Sequence, residues 1–194
     1  MKLLKVINNG RHGFIFHSYL MYLNKRGERK RYSIVSRREV SSPKDLDGYT
    51  AGIIAVITNP AGEVLVSKEF RLGVNRHLYG FPSGMQEKGE SSSGCAIREV
   101  QEETGIKDVC IDSVTKPEYT NPTMSNERVA IAYGHIDYIQ APVKSDNPNE
   151  EIESVWMSRA GLPQFLEDHE EDISLLNRLI MEKIISDKIG DIKW

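Results

Sequence analysis

Residues 84 to 106, GMQEKGESSSGCAIREVQEETGI, constrain this chain more than any other stretch. The run reads as a loop followed by a short helix. Ser91, Ser92 or Ser93 can cap the helix start, because a hydroxyl oxygen satisfies an orphan backbone amide there. Gly105 suits the left-handed position just past the helix end. At about 100° per residue, the residues between them sort onto faces. Glu99, Glu102 and Glu103 share one side, and Ala96, Ile97, Val100 and Thr104 fall on the adjacent, small and apolar side.

Three carboxylates on one helical face repel one another. Arg98, four residues before Glu102, can neutralise one of them. Glu99 and Glu103 then remain as a pair that would suit a hard dication. Mg²⁺ commonly takes one or two carboxylates, waters and substrate phosphate oxygens. A solvated acidic surface helix would satisfy a generic run of this composition equally well.

The spacing points away from that bland alternative. The stretch resembles the Nudix box, Gx5Ex7REUxEExGU with U a bulky aliphatic residue. Gly84, Glu90, Arg98, Glu99, Val100, Glu102, Glu103, Gly105 and Ile106 meet the pattern without departure. The resemblance implies an α/β/α sandwich with a mixed sheet, α/β (α+β) in class. It also implies Mg²⁺-dependent hydrolysis, with Mn²⁺ an alternative ion, of a nucleoside diphosphate linked to another group. By the same resemblance Glu99 and Glu103 are metal ligands and Glu102 binds metal or its water. The backbone carbonyl of Ser83 joins them, and Gly84, Glu90, Arg98 and Gly105 hold the motif's shape.

The chain has 194 residues, enough for one domain with a small appendage and a sound core. The expected division is a β region over residues 1–48 and a catalytic domain over 49–194. A net charge of −3 gives no case for a nucleic acid partner or an anionic membrane. Cys95 and Cys110 form no metal spacing, and two cysteines fit a reducing cytosol better than a disulfide scaffold. The start shows no secretory signal pattern and no apolar stretch approaches membrane-spanning length, so a cytoplasmic protein is expected.

Phe14 to Leu23 and Tyr32 to Val35 predict a β-hairpin with Gly27 in the turn. The basic residues from Lys25 to Arg31 read as its solvated tip. Arg37 could reach a ligand phosphate or pair with an acid. A hairpin alone is marginal, so it must pack on the main domain or on another chain. The YSIVSRR run is similar to one in ADP-ribose pyrophosphatases of the Nudix family, where such a region exchanges across a homodimer. A homodimer through residues 1–48 is therefore expected.

AGIIAVITN and VLVSKEFR predict two strands joined by a turn at Asn59, Pro60 and Gly62. Arg71 ends the second strand. EFR resembles the QYR-like run of ADP-sugar hydrolases, which implies a phosphate role for Arg71. LGVNRHLYGFPSG reads as a loop, and YGFPSG resembles the WELPAG that precedes the box in ADP-ribose pyrophosphatases. Tyr79 stands for Trp, Ser83 for Ala and Gly80 for Glu, the last a real loss of an acid.

Pro122, sixteen residues after Ile106, matches a marker of the ADP-ribose group. Met124 stands where a diadenosine-polyphosphate group has Tyr, and the NADH group's SQPWPFPxS is absent. SNE at Ser125 to Glu127 resembles the loop setting of a catalytic base in the ADP-ribose enzymes. Glu127 is therefore the candidate base, with Glu118 and Glu102 next. Near the C-terminus, Ser158 can cap a short helix. Asp172 can cap a longer one with Ile173, Leu176, Leu179, Ile180 and Ile184 on its apolar stripe.

The expected function is hydrolysis of a nucleotide sugar's diphosphate bond, ADP-ribose to AMP and ribose 5-phosphate. The alternatives are another nucleotide sugar such as GDP-mannose, or a non-catalytic module that senses ADP-ribose.

Overall fold

Buried strands form where the sequence is almost wholly apolar. TAGIIAVIT is the clearest case, with every residue from 51 to 57 buried. The structure is a computed structural model that describes residues 1–47 and 50–186. Its elements run β1 (Lys2–His12), β2 (Ile15–Leu23), β3 (Arg29–Ser36), β4 (Thr50–Thr58), β5 (Glu63–Arg71), β6 (Arg76–Gly80), β7 (Ser83–Met85), α1 (Ser92–Thr104), β8 (Cys110–Val114), β9 (Glu118–Tyr119), β10 (Arg128–His135), β11 (Ile152–Ser158), α2 (Leu162–Asp168) and α3 (Leu175–Ser186). The fold is mixed α+β with a mixed sheet, as expected. By internal contacts the chain forms two units, Met1–Ala51 with Pro117–Val129, and Gly52–Lys116 with Ala130 onward.

In the first unit, β1, β2 and β3 form an antiparallel sheet in that order. Gly27 turns the β2–β3 hairpin at φ 80°, and the Asn24 side chain accepts the amides of Arg26 and Glu28. The expected hairpin is present, and β1 adds a strand the pattern did not predict. Val6, Leu20 and Tyr32 share a register row, so side chains from all three strands face one way. Leu20, Ile34 and Val40 form the core there, with Leu3, Val6, Tyr22, Tyr32 and Leu46 packed on it. Segment 121–127 lies along β3, where Val35 donates to the Met124 carbonyl at 2.9 Å and the Tyr32 hydroxyl to that of Thr123.

In the second unit the strand order is β11-β5-β4-β10-β8, with β6 paired to β5 and β7 to β4. Helix α1 buries Cys95, Ala96 and Val100 against Ile53, Ala55, Ile57, Leu65, Ala130 and Ala132. The expected loop from Leu72 to Gly84 is partly strand, because β6 and β7 each find a neighbour to pair with. Ile180 and Met181 are buried in α3, while Leu179 is exposed. Helix α3 starts later than expected. Ser174, not Asp172, accepts the Asn177 amide at its start, and Ile173 bridges to Tyr79. The tail from 187 onward, including Trp194, lies outside the described residues.

Candidate active site

Helix α1 carries the carboxylates, and local chemistry sets both its ends. Ser91 Oγ accepts the Gly94 amide at 3.0 Å. Gly105 takes the left-handed conformation at φ 68°, and its amide donates to Gln101 O at 2.9 Å. With Ala96 and Val100 turned into the core, the acidic side is graded by depth. Glu103 is buried at 5% exposure, whereas the Glu102 side chain is 59% exposed.

Arg98 was expected to neutralise Glu102 alone, and it does much more. Nε and Nη2 donate to the two oxygens of Glu90 at 2.9 and 3.0 Å. Nη1 donates to Glu99 at 2.8 Å and to Glu102 at 3.0 Å, and Nη2 also reaches the Met85 carbonyl. Its guanidinium therefore joins the loop before the helix to two of the three acids. Glu90 is held well below the usual carboxylate range, at about 2, chiefly by its hydrogen bonds to Arg98.

Glu103 faces the strand side of the site. Ser83 N donates to its Oε1 at 3.3 Å. Burial pushes its carboxyl up to about 8, and the charges of Glu69 and Glu99 add to that, against the pull of Ser83 and Arg71. Glu99 is raised too, by burial first, with Arg98 opposing and Glu102 and Glu150 reinforcing. Gly84 makes room for Glu99, since a Cβ there would lie 1.9 Å from Glu99 Oε1 and 2.0 Å from Cδ. A side chain at this box position would displace the Glu99 carboxylate from where it lies.

The donor chemistry fits a hard divalent cation. Glu103 is a buried carboxylate whose charge is opposed by two neighbouring carboxylates, and all the oxygens are hard donors. Among the described residues, no three His, Cys, Asp or Glu side chains already converge on one point. Arg98 engages Glu99 and Glu102, and the Ser83 amide engages Glu103.

Arg71 is in this site. Its Nη2 lies 2.7 Å from Glu69 Oε2 and 3.3 Å from Ser83 Oγ. Arg37 and Glu127 belong to the other unit, where they pair with each other at 3.3 Å. Of the two readings open for Arg37, this state shows the acid pair. Glu118 is exposed in β9, its register partner being Val129.

Two acids escaped the sequence reading. Glu69 is raised by burial first, with Arg71 opposing and Glu150 and Glu99 reinforcing. Its only sequence signal is the two-residue spacing to Arg71, which puts both on one strand face. Glu150, in the loop before β11, lies near enough to act on both Glu69 and Glu99. It stands far from the box in sequence and carries no signal of that proximity. At Gly80, a Cβ would lie 2.1 Å from Asn177 Nδ2. The Asn177 amide occupies the space an acidic side chain would enter.

A family model, the NUDIX domain, matches residues 48–179. The chain belongs to the Nudix family. The chain is 28% identical over 91 residues to an ADP-ribose pyrophosphatase of Bacillus subtilis, covering 47% of this chain and 49% of that protein. It is also 28% identical over 141 residues to an ADP-ribose pyrophosphatase of Saccharomyces cerevisiae, covering 69% and 59%. The chain thus spans 49% to 59% of the length of these curated relatives. A crystal structure described as an ADP compounds hydrolase matches with a TM-score of 0.67 at 19% identity, over 94% of this chain and 91% of that one. That likeness shows the Nudix fold. The expected resemblance to ADP-ribose pyrophosphatases is borne out by these matches.

Proposed function

We propose that this Nudix chain hydrolyses the diphosphate bond of a nucleoside diphosphate sugar, ADP-ribose first, giving AMP and ribose 5-phosphate. The observation that carries the reading is Glu103, a buried carboxylate set against Ser83 and beside Glu99 on a helix with a complete Nudix box. Similarity to two ADP-ribose pyrophosphatases supports the substrate class. Nudix hydrolases generally use divalent metals. Mg²⁺, with Mn²⁺ as substitute, would be held by Glu99, Glu103, Glu102 and the Ser83 carbonyl. Such an ion offsets charge on the diphosphate.

The chain's own groups do the rest. Arg71, beside Ser83, and Arg37 would contact the phosphates. A loop carboxylate would accept the proton of the attacking water as the phosphorus–oxygen bond to the leaving phosphate breaks. Glu127 is the candidate given by its SNE setting, with Glu102 a second. Glu150 is the rival favoured by a specific observation, that its charge acts on Glu99 and helps to raise it. Intact Glu99, Glu102 and Glu103 oppose a purely sensing module.

The test is AMP release from ADP-ribose with Mg²⁺, compared with EDTA and with a panel including GDP-mannose. AMP release that EDTA abolishes is the expected result. A better rate on GDP-mannose would replace the substrate, and binding of ADP-ribose without turnover would favour the sensor. A homodimer through residues 1–48 belongs to the same proposal, and sedimentation showing a fully active monomer would reject it. Among the described residues, no helix is long and apolar enough to cross a membrane.

A further inference from the structure

Two arginines border the carboxylates, and they are used differently. Arg98 is occupied from three sides, by Glu90, by Glu99 with Glu102, and by the Met85 carbonyl. It has little left to offer an anion. Among the described residues, Arg71 is held through Nη2 alone, by Glu69 Oε2 at 2.7 Å and Ser83 Oγ at 3.3 Å. Its side chain is 46% exposed, while that of Glu69 is 20% exposed. The carboxylate is the fixed, sunken partner and the guanidinium is the presented one.

Strand geometry explains the pair. Glu69 and Arg71 are two residues apart on β5, so they project from the same face. Register places Glu69 between Leu78 on β6 and Ile152 on β11, which holds its backbone from both sides. Arg71 lies at the strand's end, opposite Arg76. A free arginine there would carry several rotatable bonds and would lose that freedom on binding a phosphate. A like charge nearby at Arg76 adds no anchor. Ser83, the second contact of Arg71, uses its own amide to hold Glu103 Oε1 at 3.3 Å. Glu69, Arg71, Ser83 and Glu103 therefore form one continuous chain of contacts across the site.

We propose that Glu69 is a positioning residue, which anchors Arg71 by one nitrogen against Ser83 so that its remaining N–H groups are presented to a diphosphate beside Glu103. The inference rests on the Nudix diphosphatase reading for its ligand class, but not on turnover. It separates Glu69 from the metal ligands, since Glu69 acts through Arg71.

Binding of inorganic pyrophosphate in the presence of Mg²⁺, measured by calorimetry, tests this without hydrolysis of a sugar nucleotide. Glu69→Gln and Arg71→Ala should each weaken pyrophosphate binding by about tenfold, the scale of one charge-assisted contact. Their effects should not add, so Glu69→Gln in the Arg71→Ala background should change nothing further. With ADP-ribose as substrate, the Glu69→Gln loss should fall on KM and leave kcat nearly intact. Thermal melts check that Glu69→Gln stays folded. Additive losses, or a shift in Mg²⁺ dependence that persists in Arg71→Ala, would make Glu69 a direct participant and overturn the proposal. Unchanged pyrophosphate affinity in Glu69→Gln would overturn it as well. Coupled pyrophosphate binding without hydrolysis of any nucleotide sugar would refute the enzymatic reading and leave this one standing.

Discussion

Arg98 grips Glu90 with two parallel hydrogen bonds, Nε to Oε1 at 2.9 Å and Nη2 to Oε2 at 3.0 Å. This fork closes the loop before α1 onto the helix and leaves Nη1 for the helix's own acids. Both side chains are largely buried, so solvent screens the pair less than a surface bridge. Glu90→Gln should destabilise the fold by about 1 to 2 kcal/mol at neutral pH, the scale of hydrogen bonds to a charged group. The folded carboxyl sits at about 2, below its ordinary 4.5. Its contribution is therefore full above about 4.5 and is lost as pH falls toward 2. Melting curves of wild type and Glu90→Gln should converge across that window. Equal stability at pH 7 would sink the argument.

Gly84 tests packing at the box directly. A Cβ would overlap the Glu99 carboxylate, so Gly84→Ala must push Glu99 off its seat. Gly89 has φ +85° but open space around its Cβ position, so Gly89→Ala meets backbone strain alone. Gly84→Ala should lower turnover by roughly 10²-fold, in the range that misplacing one catalytic group costs. Gly89→Ala should cost about 1 kcal/mol of stability and little activity. Similar kinetics for the two variants would refute the seating role.

Glu103 carries opposite signs for stability and for function. Its folded carboxyl lies at about 8, above the ordinary 4.5, with burial the main cause. Between those values the folded state binds the proton and the unfolded state does not. Metal-free stability should therefore fall as pH rises from about 4.5 through about 8. Glu103→Gln removes this dependence, so in EDTA it should melt above the wild type at pH 8. The same variant should lose roughly 10²-fold or more in turnover, as for loss of a key electrostatic group. Parallel melting curves for the two proteins from pH 5 to pH 9 would reject the buried-acid account.

The sequence was most informative where the chemistry is local. Ser91, Gly105 and the angular sorting of Ala96, Val100, Glu99 and Glu103 are decided within a few residues, and the helix has those ends and faces. Strands β1 and β6 were not legible. LKVINNGRH interrupts its apolar residues with Asn and Gly and becomes a strand by pairing with β2. RHLYG is short and gains its partner from β5. Glu69 and Glu150 were missed for a related reason. Their nearness to Glu99 is made by strand pairing and loop path, which no local pattern encodes. The loss of an acid at Gly80 was visible, but its occupant, Asn177, comes from a helix near the other end of the chain.

Under the proposal, two loop acids with different surroundings remain rivals for the catalytic base. Glu127 has an Arg37 partner at 3.3 Å, and its amide is tied to Ser125 Oγ at 3.3 Å. That contact would have to break before the Glu127 carboxylate could turn to an attacking water. Among the described residues no ion pair holds the Glu150 carboxylate, and its charge acts on Glu99 and Glu69 through space. It sits in a loop with Asp146, Asn147, Pro148 and Asn149, a composition that allows movement toward a substrate. Glu150→Gln should lower kcat by about 10²- to 10⁴-fold, the usual worth of a general base, with KM and Mg²⁺ dependence nearly unchanged. Glu127→Gln should lose only a few-fold, chiefly in KM, because it releases Arg37. Steady-state kinetics of both variants across pH, with Mg²⁺ titrated, decide the matter. If Glu127→Gln shows the large kcat loss and Glu150→Gln does not, the base is Glu127, and the proximity of Glu150 to Glu99 serves only the charge balance of the site.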